Sequence, residues 1–303
     1  MSTTTDQKTI DARESLVDRV PPAWRPYLRL MRADRPIGVW LLFLPCLWGV
    51  IAARPDGMDA GQFWWLAILF FVGSFVMRSA GCAYNDYIDR DLDAAVERTK
   101  DRPIPSGSVS PKSALGLVVG LSLIGLVVLL QLNSLAIVVG IASLALVAGY
   151  PFMKRVTWWP QLWLGLTFNW GVLVGAAAVS GTIPLSALLL YGAGVFWTLG
   201  YDTIYALQDI EDDALAGIKS SARRLGDGVG RGVAFFYAAT ISLCGAAMVV
   251  GGAFPWLPLL LAPAAHLAWQ VRTLDKDSPA RNLLLFKSNV WPGGMIAAAM
   301  LAL

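Results

Sequence analysis

Two clusters of acidic residues stand where long apolar runs of the sequence end. The first places Asn85, Asp89 and Asp93 at intervals of four residues. The second places Asp209 and Asp213 at the same interval. Residues four apart share one face of an α-helix, so each cluster would present its oxygen atoms together. Facing carboxylates repel one another unless a cation lies between them, and Mg²⁺ prefers oxygen ligands. The spacing therefore predicts a magnesium site shared by two helix ends.

Basic residues near the clusters indicate that the metal would hold a phosphorylated ligand. Arg98 and Arg102 closely follow the first cluster, and Lys154 and Arg155 end a later apolar run. Lys and Arg bind phosphate oxygens through charge-assisted hydrogen bonds. Acidic ligands with basic neighbours are more typical of a metal-bridged diphosphate than of a bare cation site. The neighbouring acids point to other helix faces, and we expect them to be solvated or to support the ligands: Asp86, Asp91, Glu211 and Asp212.

Two ionisable residues lie inside apolar runs. Asp202 is seven residues, about two turns, deeper than Asp209, and Arg78 is about two turns deeper than Asn85. An ionised residue in a membrane span costs roughly 2.5–3.5 kcal/mol on insertion scales and is a functional candidate by default. Asp202 is predicted to line the site. For Arg78, a place in the cavity and a side chain extended toward the membrane surface remain equal alternatives.

The composition is that of a membrane protein. Of the 303 residues 56% are hydrophobic and 15% charged, and the mean hydropathy is +0.57. A bilayer core takes roughly 20 apolar residues per helix, which predicts nine spans and no separate soluble domain. The three cysteines have neither disulfide nor zinc spacing and are expected to be buried. The spans are predicted near 36–53, 62–83, 113–131, 134–152, 160–179, 185–207, 232–250, 255–271 and 284–303.

The loops set the predicted orientation. With a cytoplasmic N-terminus, all but Arg54 and Arg78 of the 24 lysines and arginines fall in cytoplasmic segments, as the positive-inside rule requires. Residues 1–35 form a polar segment with no secretory signal, in which 24–31 is predicted to be a helix on the membrane surface. Residues 36–303 form one domain, with two long cytoplasmic loops that start at the acidic clusters.

These motifs closely resemble those of the UbiA superfamily of intramembrane prenyltransferases. Asn85, Asp86, Asp89 and Asp93 match the family's N-D-x-x-D-x-x-x-D motif, and Asp209 and Asp213 match its D-x-x-x-D motif. The resemblance extends over nearly the whole chain. Three further segments are most similar to the branch that prenylates 4-hydroxybenzoate in ubiquinone biosynthesis: 98–107, 150–155 and 201–206.

The resemblance implies a fold and a set of roles. Nine helices would surround a central cavity capped by the cytoplasmic loops, in a bacterial inner membrane with the site facing the cytoplasm. The metal ligands for Mg²⁺ would be Asn85, Asp89, Asp93, Asp209 and Asp213, with the four aspartates as catalytic residues. The diphosphate would be bound by Arg98, Arg102, Tyr150, Lys154 and Arg155, and the aromatic acceptor by Arg35, Asp202 and Arg155.

The implied reaction transfers a polyprenyl group from its diphosphate to the ring carbon beside the hydroxyl of 4-hydroxybenzoate, releasing diphosphate. An allylic carbocation needs a dry aromatic wall, because cation–π attraction is strongest without water. Candidates for this wall are Tyr84, Phe168, Trp170 and Trp197. Two alternatives stay open. One is a related enzyme with a different acceptor, such as haem, a chlorophyll precursor, or a naphthoquinone or homogentisate ring. The other is a cation-coupled transporter.

Overall fold

The computed structural model describes residues 16–95, 99–210 and 217–303, without the side chains of Leu16 and Asp209. These residues form helices and short connections and contain no β-strand, which confirms the all-α class. The α-helices are α1 Arg25–Leu30, α2 Ile37–Ala52, α3 Ala60–Ala95, α4 Pro111–Leu129, α5 Ser134–Val156, α6 Pro160–Ser180, α7 Leu185–Ala206, α8 Ser221–Leu225, α9 Val229–Val250, α10 Leu261–Thr273, α11 Pro279–Lys287 and α12 Val290–Met300. Short 3₁₀ helices cover Leu16–Arg19, Leu207–Asp209, Gly226–Gly228 and Phe254–Leu260.

Several helices are long and apolar enough to cross a bilayer. In the described part of the chain these are α3, α4, α5, α6 and the stretch Ser221–Val250, and α2 is a shorter apolar helix. The chain is therefore a multi-pass membrane protein. The helix predicted before the first span forms as α1, where Trp24 is exposed and Leu30 packs under the loop residues Ile104 and Val109.

Three predicted spans differ from the helices observed. The second was predicted to end at 83, but α3 continues to Ala95 and keeps the first acidic cluster in regular helix. The eighth, 255–271, begins as a 3₁₀ helix because Pro255 and Pro258 have no amide hydrogen for the ladder. The ninth, 284–303, is broken between α11 and α12, where the Asn289 side chain donates to the carbonyl of Leu285 at 3.0 Å.

The bundle is tight where α2 crosses α6. A Cβ atom on Gly49 would clash with the backbone carbonyl of Val172, and one on Gly175 would meet the backbone carbonyl of Cys46. Small residues at such crossings let membrane helices approach closely and gain van der Waals contact. This crossing fixes the wall of the bundle on which α3 and α7 are placed.

A buried polar network joins α7 to the C-terminal helices. The indole of Trp197 donates to the side-chain oxygen of Asn289 at 2.9 Å, and the Tyr237 hydroxyl donates to Gln270 at 2.6 Å. Trp197 also packs against Trp48, whose indole donates to the carbonyl of Gly293 at 2.9 Å. The side chains of Trp48, Trp197, Tyr237, Gln270 and Asn289 in this network are thus hydrogen-bonded, as burial in an apolar bundle demands.

The α2–α6 crossing gives a first prediction. Gly175→Val should lower the apparent melting temperature in detergent by several degrees, because overpacking against backbone costs about 1–3 kcal/mol. The matched control is Gly120→Val on α4, where an added Cβ meets nothing within 4 Å and the residue is exposed. Equal melting temperatures for the two variants would contradict this packing.

Candidate active site

A cavity of about 720 Å³ runs into the bundle between α2, α3, α4, α5, α6 and α7. Its deeper part is apolar, and its polar part lies toward the end of α3 that carries the acidic cluster. Polar and charged lining residues include Arg32, Arg35, Arg78, Asn85, Asp86, Tyr150, Asp202, Tyr205 and Lys287. The motif helices α3 and α7 therefore border the same cavity.

The first acidic cluster is buried and already neutralised. Asp89 is fully buried, and its carboxylate accepts from the Lys154 ammonium on one oxygen and from the Arg155 guanidinium on the other, at 3.0 Å. Both cations come from the last turn of α5. Asn85 lines the cavity one turn away, and no described residue hydrogen-bonds its side chain. The predicted metal ligand and the predicted diphosphate ligands thus meet at one place.

Arg102 joins the following loop to the same helix. Its guanidinium donates to Asp93 at 2.7 Å and lies 3.3 Å from Asp86. Thr99 strengthens the attachment by donating to the backbone carbonyl of Asp93 at 2.8 Å. Asp93 is buried, so its carboxylate depends on the Arg102 charge for compensation. The loop is consequently held where the Arg102 guanidinium contacts both Asp93 and Asp86.

Asp86 is the motif residue whose role the spacing left open. It is 1% exposed, so it is not solvated; Asp91 is the one that faces solvent, with 88% of its side chain exposed. Both Asp86 oxygens accept from Arg32 at 2.9 Å. Arg32 has φ 56°, a left-handed conformation that is unusual for a residue with a side chain. The strained turn before α2 is thus tied to α3 by a bidentate ion pair.

The second acidic cluster is described only in part. The backbone of Asp209 ends the 3₁₀ helix Leu207–Asp209 directly after α7, and Tyr201, Asp202 and Tyr205 of α7 line the cavity. The predicted ligand Asp213 and the predicted phosphate ligand Arg98 lie outside the described residues, as does the side chain of Asp209. Within the described ranges, no group of three or more acidic, histidine or cysteine side chains is close enough to hold a metal ion.

The donor chemistry of the described residues nevertheless fits a hard cation. Asn85, Asp89 and Asp93 offer oxygen atoms on successive turns of one helix face, which is the ligand type of Mg²⁺. Asp89 is held by cations that themselves suit phosphate oxygens. A metal and a diphosphate binding together would therefore exchange partners with these ion pairs without leaving an uncompensated charge.

The structure resolves the alternatives for Arg78. Its side chain lines the cavity, with the guanidinium carbon 5.8 Å from the centroid of the Phe168 ring and one nitrogen in contact with the Cys82 sulfur. The Nε atom is buried and has no hydrogen-bond partner in the described chain. Sequence reasoning did not select Arg78 as a site residue. Its spacing of seven residues from Asn85, two helical turns on the same face, was the available signal.

Some of the other residues predicted for the site line the cavity, and one lies in the hydrophobic core. Arg35, Tyr150 and Asp202 line the cavity, and the Arg35 guanidinium is 3.4 Å from Asp34. Of the candidate aromatic wall, Trp197 is excluded, because it is fully buried against Trp48 and Tyr201 in the core. The wall candidates that do line the cavity are Tyr84, Phe168 and Trp170. The cysteines are buried and unpaired, as expected.

Comparisons with known proteins identify relatives of this chain. The chain is 45% identical to the mitochondrial 4-hydroxybenzoate polyprenyltransferase of Caenorhabditis elegans, covering 99% of this chain and 86% of the relative. It is also 45% identical to the human mitochondrial 4-hydroxybenzoate polyprenyltransferase, covering 88% of this chain and 71% of the relative. Both relatives are mitochondrial proteins, so they do not support the predicted location in a bacterial inner membrane.

Solved structures show the same fold. The apo structure of a UbiA homologue from Aeropyrum pernix K1 aligns with a TM-score of 0.71 at 28% identity, covering 86% of this chain and 96% of that one. A UbiA homologue from Archaeoglobus fulgidus, bound to GPP and Mg²⁺, aligns with a TM-score of 0.67 at 18% identity. The alignment covers 91% of this chain and 97% of that one. The model of the UbiA prenyltransferase family matches residues 42–291. The chain therefore belongs to the UbiA prenyltransferase family.

Proposed function

We propose that the protein transfers a polyprenyl group from a polyprenyl diphosphate to the ring carbon ortho to the hydroxyl of 4-hydroxybenzoate, a step of ubiquinone biosynthesis. The relatives named above are 4-hydroxybenzoate polyprenyltransferases over nearly the full chain. The observation that carries the proposal is the pairing of the buried Asp89 carboxylate with Lys154 and Arg155 beside a deep apolar cavity. This arrangement has the charges for a metal diphosphate and the volume for its hydrocarbon.

The diphosphate end of the donor would bind among the ion pairs of α3 and α5. The proposed Mg²⁺ ligands are Asn85, Asp89 and Asp93, together with Asp209 and Asp213. When bound, the metal would neutralise the charge that develops on the leaving diphosphate. Lys154, Arg155 and Arg102, released from their carboxylates, would turn their N–H groups to phosphate oxygens, and Arg98 and Tyr150 would add to this set.

The hydrocarbon end of the donor would lie in the apolar part of the cavity. The wall contributed by α4 and α5 includes Val119, Leu126, Ile141 and Leu144, which line the cavity and are also exposed on the bundle surface. A long prenyl chain could therefore pass between these helices into lipid. Its burial would contribute about 0.8 kcal/mol for each CH₂ removed from water.

The acceptor would bind deeper on α3, beside the donor's reactive carbon. Arg78 would hold its carboxylate, because its buried Nε lacks a partner and an anion would satisfy it. Arg35, Arg155 and Asp202 remain proposed acceptor ligands, with Asp202 near the hydroxyl. Phe168 and Tyr84 would face the allylic cation and keep water out. The ring carbon then attacks, and the proton leaves the ring.

The proposed membrane arrangement has nine spans and places the acidic clusters on the face where lysines and arginines concentrate. The two broken helices near the C-terminus would still cross as pairs: the 3₁₀ helix with α10, and α11 with α12. The site would then open on the same side as the polar segment 1–35.

Asp89→Asn tests the metal–diphosphate assignment. Prenylation of 4-hydroxybenzoate should fall by about 100-fold or more, because a charged ligand at the leaving group is lost while side-chain size is kept. Asp91→Asn is the matched control, two residues away but exposed, and should retain activity within about twofold. The assay uses purified protein in detergent with Mg²⁺, with and without EDTA, and a panel of aromatic acceptors. Near-normal turnover by Asp89→Asn, or activity insensitive to EDTA, would refute the assignment.

Arg78→Met tests the carboxylate assignment. The KM for 4-hydroxybenzoate should rise about tenfold or more, since a hydrogen bond to a charged group is lost, while the donor KM stays unchanged. The KM for the methyl ester of the acceptor, which has no negative charge, should rise much less. Arg90→Met is the control, because Arg90 lies on the same helix over the Tyr87 ring and pairs with Asp91. Equal losses for the acid and its ester would show that Arg78 does not bind the carboxylate.

A further inference from the structure

Gly81 lies on α3 between the two groups proposed to hold opposite ends of the reacting pair. Arg78 is three residues before it and Asn85 four residues after it, so all three share one face of the helix. At 1.5 Å per residue, the Cα atoms of Arg78 and Asn85 are about 10 Å apart along the axis, with Gly81 near the middle. The Arg78 guanidinium extends toward Cys82, the residue after Gly81. All three residues line the cavity.

Gly81 differs from the other cavity-lining glycines of the described chain. A Cβ built on Gly38 would strike Arg78, one on Gly125 would strike Met77, and one on Gly140 would lie 2.6 Å from Leu129. Gly73 and Gly171 also have side-chain neighbours within 4 Å. For Gly81 nothing lies within 4 Å. Close packing therefore accounts for Gly38, Gly125, Gly140 and Gly171, and Gly73 is in ordinary contact with Val128, but Gly81 has no such neighbour.

Backbone conformation does not require a glycine here either. Gly81 is in the interior of a regular helix, and it is not among the residues with positive φ. Glycine is unfavourable in a helix interior compared with alanine. Gly116 on α4 is a helical glycine of the same kind, but it is exposed and does not line the cavity. At Gly81, which does line the cavity, the missing side chain keeps space open beside the backbone.

We propose that Gly81 provides the space for the aromatic ring of the acceptor and sets the limit on ring size. The inference rests on the proposed function and deepens it. A side chain at 81 would lean toward the helix N-terminus, that is, toward Arg78. It would therefore fill the space that a ring must occupy when its carboxylate is on Arg78.

The opposite wall suits a flat ring. Phe168 of α6 faces the Arg78 guanidinium, whose central carbon is 5.8 Å from the centroid of the Phe168 ring. A ring held between the bare backbone at Gly81 and this aromatic face has its carboxylate toward Arg78. Its hydroxyl end then points toward Asn85, where the diphosphate would lie. The ring carbon beside the hydroxyl is thereby the one presented to the donor.

The test compares Gly81→Ala and Gly81→Leu with Gly116→Leu. Gly116 is the matched control, because it is also a helical glycine with nothing within 4 Å of an added Cβ but is exposed on α4 and does not line the cavity. Acceptor binding is measured by equilibrium dialysis of labelled 4-hydroxybenzoate. Donor binding is measured with geranyl thiodiphosphate and Mg²⁺. Steady-state KM values are then taken for 4-hydroxybenzoate and for 4-hydroxy-3-methoxybenzoate, whose second ortho carbon is free to react.

Gly81→Ala should raise the KM for 4-hydroxybenzoate severalfold and that for the methoxy acceptor more, because one or two carbon atoms in a filled pocket change discrimination by about 10- to 200-fold. Gly81→Leu should abolish acceptor binding, while geranyl thiodiphosphate binding stays within threefold of wild type. Gly116→Leu should match wild type in every measurement. A folded Gly81→Leu protein that binds 4-hydroxybenzoate normally, or that loses donor and acceptor binding together, would overturn the inference.

The two proposals fail in different ways. A wild-type protein that binds 4-hydroxybenzoate but does not prenylate it refutes the proposed function, and the dialysis comparison still decides the role of Gly81. A wild-type protein that does not bind 4-hydroxybenzoate refutes both.

Discussion

The structure depends on the neutralisation of three buried carboxylates on α3. Taking an ionised carboxylate out of water costs several kcal/mol, so Asp86, Asp89 and Asp93 require cationic partners. The partners come from three separate parts of the chain: Arg32 before α2, Arg102 after α3, and Lys154 with Arg155 at the end of α5. The same electrostatic requirement therefore folds the covering segments onto the helix and assembles the site.

The mutual neutralisation of these acidic and basic residues has a chemical consequence. The acids suit a divalent cation and the bases suit a diphosphate, and within the described chain each set neutralises the other. Binding both ligands would replace internal ion pairs with metal–carboxylate and phosphate–cation pairs, so little net charge is left buried at any stage. Arg78 stands apart, since its buried Nε has no hydrogen-bond partner among the described residues and its guanidinium faces an aromatic ring. An anion without a metal, such as a carboxylate, is the ligand that this cation lacks.

Local regularities were predictable and distant pairings were not. The helical class, the shared face of Asn85, Asp89 and Asp93, and the buried cysteines follow from composition and a period of 3.6 residues. The ion pair of Arg32 with Asp86 joins residues 54 positions apart, and no local pattern encodes it. Trp197 was a reasonable candidate for the cavity wall, but the packing of α2 and α12 places it in the core. The breaks in the last two predicted spans depend on proline spacing and on one asparagine side chain. A hydropathy value averaged over many residues does not register such single positions.

In the proposed reaction, α3 would also order the substrates along its axis. Toward its C-terminal end it carries a cation, an empty position, an amide and then a buried acid, at Arg78, Gly81, Asn85 and Asp89. A rigid helix fixes these separations to within a fraction of an ångström, which a loop would not. Because the empty position has no side chain, sequence alone gives it no chemical meaning. Its meaning comes from the absence of any described neighbour within 4 Å of an added Cβ, together with the Arg78 cation and the Asn85 amide one turn to either side. Substrate size would thus be set by a missing side chain, and substrate orientation by the cation and the amide that flank it.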